Sequence, residues 1–162
     1  MKLPSNMKLL QKTIFLSLSL VITTSFFCQT ECDQVDEVVN KLLNNVDDLN
    51  KTFISDGQVY KAFINEDQLA EFEVTLYGGS TYRIAGSTGD TDNSFIFEIY
   101  DKQQPRNLLF SNADHNNSPY WDFNIENTID CYVVTSLDLT KKLSGCAVMM
   151  IGFEYLCVLR RN

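Results

Sequence analysis

The chain has 162 residues, 44% of them hydrophobic, with a formal charge of −8. That length argues for one domain. A polyanion repels phosphate backbones and anionic lipid surfaces, which excludes nucleic acid as a partner.

Residues 1–28 read as a secretory signal peptide. "MKLPSNMKLLQK" carries Lys2, Lys8 and Lys12 and no acid, and the apolar run "TIFLSLSLVITTSFF" follows it. The run is about 15 residues long, short of the roughly 20 that span a bilayer as a helix. No membrane span is therefore expected after its removal, and the product is expected to be secreted or periplasmic. Small residues are wanted just before the cut, which places it between Cys28 and Gln29. A lipidated Cys28 would want a small residue in front of it, and Phe27 stands there. Losing three lysines takes the formal charge from −8 to −11.

Residues 29–57 are expected to hold one helix and a turn. In "ECDQVDEVVNKLLNNVDDLNK", Val35, Val38, Val39, Leu42, Leu43, Val46 and Leu49 recur at three- and four-residue steps. That is the period of an amphipathic helix of about five turns. Asp33 is the expected N-cap. The apolar stripe is expected to pack on the same domain. Ser55-Asp56-Gly57 then reads as a turn.

From residue 58 to 155 the period falls to two. "VYKAFIN" is a short strand. Phe72, Val74 and Leu76 alternate with Glu71, Glu73 and Thr75. Gly78-Gly79 turns the chain, and Tyr82 and Ile84 resume the inward face with Arg83 outward. "FIFEIY", "LLFSN", "YWDFNIE", "CYVVTSL" and "CAVMMIGF" follow at short spacing. Trp121, Phe123 and Ile125 take the inward face of "YWDFNIE". Such a run predicts a mainly β fold: an antiparallel sandwich or jelly roll with one N-terminal amphipathic helix. Residues 156–162 form a tail.

Within this run, "LYGGSTYRI", "FIFEIYD" and "LLFSN" resemble the bacterial pre-peptidase C-terminal-like domains. Leu76, Gly78, Tyr82, Ile84, Phe97, Ile99, Tyr100 and Asp101 carry the likeness, which covers roughly residues 70 to 155. The resemblance implies a secreted β-sandwich that serves a secreted enzyme as an accessory.

After removal of the signal segment Cys32, Cys131, Cys146 and Cys157 remain. Three full pairings are open, and spacing does not choose among them. Cys32 with Cys131 is the expected bridge, stapling the N-terminal segment to the sheet; Cys157 is expected in the tail as a thiol.

Hydrolytic motifs are missing from the sequence. His115, the single histidine, follows Asp114 directly. Immediate neighbours in a loop do not make a catalytic triad. No pair of acids stands out for glycoside hydrolysis. No cofactor is implied, except that "GDTDNS" offers Asp90, Asp92 and Asn93 as oxygen ligands suited to calcium. The loop is not an EF-hand, because Phe95 and Asp101 occupy the sixth and twelfth places where glycine and glutamate are needed. A glycan patch is the other expectation: Tyr120, facing away from Trp121, beside Asn116, Asn117 and Asp122, with Tyr77 and Tyr100 as further exposed rings. The expected function is an exported, non-enzymatic binding module for a protein partner or a glycan. A calcium-stabilised accessory domain of the cell envelope is the alternative, and a secreted hydrolase the third reading.

Overall fold

A segment with β-branched and aromatic residues at every second position buries one face best as a pleated strand. Among the described residues, eight segments take that form. The structure, a computed structural model, describes residues 27–44 and 51–155, with side chains from residue 32 onward. The expected signal segment before Phe27, the stripe residues Val46 and Leu49, Cys157 and the tail lie outside the described residues. The chain divides into two units, Met1–Glu31 and Cys32–Asn162. The first is represented by the backbone of a helix's opening turn, in which the expected cut after Cys28 falls.

The elements are α1 (Phe27–Leu43), β1 (Phe53–Ile64), β2 (Ala70–Leu76), β3 (Ser80–Ser87) and β4 (Phe95–Asp101). After them come β5 (Leu108–Ser111), a 3-10 turn (Asn112–His115), β6 (Tyr120–Ile125), β7 (Ile129–Leu137) and β8 (Gly145–Glu154). They form two four-stranded antiparallel sheets, ordered β1-β8-β3-β6 and β2-β7-β4-β5. Strand β1 pairs with β8, β2 with β7, β3 with β6 and β4 with β5. The first half of the chain thus pairs with the second in reverse order, as one long ribbon rolled across two sheets. That is a jelly roll.

The main core lies between the sheets. Ile64, Ile84, Met149 and Ile151 from the first sheet meet Leu76, Phe97, Ile99 and Val133 from the second. Trp121, Phe123 and Ile125 face this core, as the alternation predicts, but β6 is an edge strand and they stay half-buried. A second cluster lies on the outer face of the first sheet. There Val35, Val39 and Leu43 of α1 pack on Ala85, Cys146, Val148 and Met150. The helix stripe therefore packs on its own domain. Strand β8 is buried on both faces, which explains its unbroken apolar run.

Three expectations are corrected. The bridge is Cys32–Cys146, with a sequence separation of 114, and not Cys32–Cys131. Cys131 points from β7 into the inter-sheet core, whereas α1 lies on the outer face of the other sheet. A whole layer separates the two thiols. Cys131 is free and buried, and burial pushes its thiol up to about 11. The helix begins at Phe27, so Asp33 is no N-cap; it lies on an exposed face and pairs with Lys61 at 3.1 Å. The expected turn at Ser55–Gly57 is instead part of β1.

Candidate ligand groove

The loop residues singled out in the sequence divide between two places. Asn93 and Asn117 meet where the β3–β4, β5–β6 and β7–β8 connections converge. The Asn117 Nδ2 group donates to the Asn93 carbonyl at 3.1 Å and to Asp138 Oδ2 at 2.9 Å. Asn116 is the left-handed cap of the 3-10 turn, at φ 57°. Asp90 accepts from Thr88 and Ser94, each at 2.9 Å, and pairs with Lys142 at 3.1 Å. Burial opposes its charge, but these donors outweigh burial and hold the carboxyl below its ordinary value. Asp92 is exposed. The hollow at this end is about 10 Å³, room for one water. Among the described residues, no three His, Cys, Asp or Glu side chains group as metal ligands.

Tyr120 and Asp122 lie elsewhere, on the helix-covered face of the first sheet. Asp122 stands opposite Arg83 across β3 and β6. It accepts from Arg83 Nε at 2.6 Å and Nη2 at 3.0 Å. Arg83 points outward, as the alternation predicts, yet it is only 3% exposed. Its guanidinium lies 4.2 Å from the Phe53 ring centre and 4.5 Å from that of Tyr120, and it reaches the Leu43 carbonyl at 3.4 Å. Arg83 thus meets the C-terminal end of α1, where a cation suits the helix dipole. Asn116, Asn117, Tyr120 and Asp122 do not share one open surface. His115 stacks on Phe110 at 5.3 Å and meets Trp121 at a tilt at 4.2 Å, bridging the edge strands β5 and β6.

An open site lies on the opposite edge, between β1 and β2. In β1, Ser55 pairs with Gly152 and Val59 with Met150, so three residues stand opposite one. This bulge lifts Asp56, Gly57 and Gln58 away from the ladder. Gly57 makes it possible at φ +85°, a region costly for other residues. Asp56 Oδ1 accepts the Gln58 N–H at 2.8 Å and fixes the excursion. Bulges commonly re-aim side chains beside functional sites.

Under the bulge opens a groove of about 340 Å³, within the range of small-molecule sites. Leu76 and Ile151 form its floor, and Tyr60, Tyr77, Tyr82 and Phe153 its aromatic walls. Tyr60 packs edge-on against Phe72 at 5.1 Å. The Tyr82 hydroxyl accepts the Tyr77 backbone N–H at 3.1 Å, which ties the Tyr82 ring to the end of β2. Tyr77 is 63% exposed and Phe153 38%. Asp56 and Gln58 supply the polar rim, while the Glu73 and Thr75 side chains alternate to the outer face of the second sheet, where they meet Lys102 and Asp130. Among the described residues, no lysine, arginine or histidine lines the groove. Burial raises the Asp56 carboxyl above its ordinary value, against the pull of the Gln58 N–H. Tyr60 is raised as well, by burial and then by the Asp56 charge. Glu73 is ion-paired with Lys102.

Behind Tyr77 the chain crosses from one sheet to the other through Gly78 and Gly79. A Cβ at Gly78 would stand 2.7 Å from the Glu126 carbonyl oxygen, so only glycine fits there. The sequence marked Tyr77 as an exposed ring but missed Asp56, Gln58, Tyr60 and Phe153 as neighbours. The available signal was the polar "SDGQ" flanked by apolar residues at both ends, "FI" and "VYKAFI", the mark of a strand interrupted by a bulge.

A second hollow of about 280 Å³ lies between the β1–β2 and β7–β8 connections, walled by Leu69, Leu137 and Leu139 without an aromatic ring. The chain matches no protein-family model, no curated protein and no solved structure.

Proposed function

We propose that the chain is an exported, non-enzymatic binding module that takes a glycan in the groove between β1 and β2. The observation that carries this reading is the groove's lining: tyrosine and phenylalanine rings beside carboxylate and amide side chains, in an open volume of about 340 Å³. Sugar rings stack their C–H faces on aromatic rings, and acid and amide groups take the hydroxyls. A groove of this kind favours a glycan over a folded protein partner. Export rests on the basic head and apolar run of the N-terminal segment. The resemblance to pre-peptidase C-terminal-like domains belongs to the same proposal, with the module as accessory to a secreted enzyme.

A glycan array tests this. Wild-type protein is expected to bind a subset of glycans, and Tyr77→Ala to lose that signal at least about ten-fold. The Tyr77 N–H that bonds Tyr82 belongs to the backbone, so the variant keeps that contact. An array without signal, or signal indifferent to Tyr77→Ala, defeats the proposal. One observation favours a hydrolase as the second reading. Asp56 stands at the groove, and an acid raised above its ordinary value suits a proton donor. Shortened oligosaccharides after incubation with the wild-type protein would establish that reading in place of the first.

A further inference from the structure

We propose that the groove between β1 and β2 selects sugars bearing a free ammonium group, an inference that rests on the groove being a glycan site. Among the described residues its one inward-facing charged side chain is the acid Asp56, and no cationic side chain lines its walls. Glu73, at the same edge, turns to the outer face of the second sheet, where Lys102 is its partner. Lys102 itself lies 5.5 Å from the Tyr132 ring centre, a residue outside the groove's lining. Asp56 is different: the described residues give it one hydrogen bond, from the Gln58 N–H. Asp56 is exposed, so its remaining lone pairs are open to an incoming cation, and that contact strengthens where the ligand displaces water.

The aromatic walls act in the same direction. Tyrosine faces attract an organic cation through their ring quadrupole, more strongly where water is displaced. Tyr60, Tyr77 and Tyr82 border the same space as Asp56. A neutral hydroxyl would use the rings for stacking and leave the carboxylate without a charge partner. An amine on the sugar uses both. The bulge therefore has a specific consequence: it carries an acid over a tyrosine-lined groove at the edge of the fold.

Titration calorimetry in mildly acidic buffer, where a sugar amine is protonated, separates the possibilities. The probes are β-linked tetramers of glucosamine, N-acetylglucosamine and glucose. The glucosamine tetramer is expected to bind about ten-fold more tightly than the other two. Asp56→Asn keeps the acceptor for Gln58 and is expected to erase this preference. Glu66→Gln removes the same charge in the exposed β1–β2 turn and is expected to preserve it. Circular dichroism and melting curves verify that both variants fold. Equal binding of all three tetramers leaves the glycan reading standing and overturns the ammonium inference. A preference that survives Asp56→Asn, or that Glu66→Gln removes equally, overturns it too, because the overall negative charge would then be responsible. No binding of any tetramer, with an array indifferent to Tyr77→Ala, defeats both.

Discussion

Two aspartates in this fold have opposite circumstances. Asp122 is held bidentately by Arg83, with Lys51 at 3.7 Å as a second cation. Asp56 has no such support. Because its folded-state value lies above the unfolded value of 3.8, the folded protein binds that proton more tightly than the unfolded chain does. The ionised form therefore weakens the fold at neutral pH, and the penalty disappears once both states are protonated. Asp56→Asn is expected to raise the melting temperature at neutral pH, with the gain shrinking to nothing as pH falls below the unfolded value. Melting curves across pH check this. A residue whose removal stabilises the fold while abolishing selectivity is what a binding site at the expense of stability looks like.

At the scale of elements, α1, β8 and the bulge in β1 decide the arrangement. Strand β8 presents Ala147, Met149 and Ile151 to the inter-sheet core and Cys146, Val148 and Met150 to the helix. The bridge from Cys32 to Cys146 closes a loop of 114 residues. Constraining an unfolded chain over such a loop contributes about 5 kcal/mol in the chain-entropy account. The double variant Cys32→Ser, Cys146→Ser is expected to lose stability of that order in denaturant titration, while its far-ultraviolet spectrum keeps the sheet signal. Cys131 behaves differently: it is completely buried and its thiol is pushed up to about 11, so it should resist alkylation until the sheets separate. Among the described residues the second sheet has no helix on its outer face; there Arg106 bonds Glu71 and lies 3.9 Å from the Tyr132 ring centre.

Over the whole molecule the converging loops set the response to acid. Asp90 and Asp138 are both held below their ordinary values. For Asp90, the Lys142, Thr88 and Ser94 bonds prevail over burial; for Asp138, the Thr140 hydroxyl contributes most. Asp101 joins them, through the Asn107 N–H first. A carboxylate depressed in the folded state stabilises it fully above the unfolded value, 3.8 for each, and that stabilisation is lost as pH falls through the folded values. The melting midpoint is expected to hold steady from neutral pH to about pH 5 and to drop steeply below about pH 4. Lys142→Met is expected to flatten the drop, since the contribution of Asp90 would already be reduced. A midpoint equally steep in that variant would count against the loop network as the cause.

The alternation in residues 58–155 was enough to place strands, their inward faces and the class of fold, because side chains on a strand change face at every residue whatever the strand pairs with. The three- and four-residue spacing of Val35, Val39 and Leu43 likewise marked the helical stripe. Pairing was different. Cys131 and Cys146 both occupy β-strands, and only the stacking of the layers shows that one faces the inter-sheet core and the other faces α1. The same holds for Ser55–Gly57, which has the local chemistry of a turn; hydrogen bonding to β8 on either side makes it a bulge instead. The groove combines residues from β1, β2, β3 and β8 that are remote in sequence. Local periodicity is written into the order of residues, whereas the meeting of distant edges depends on how the ribbon rolls, and that was settled by burial across the two sheets.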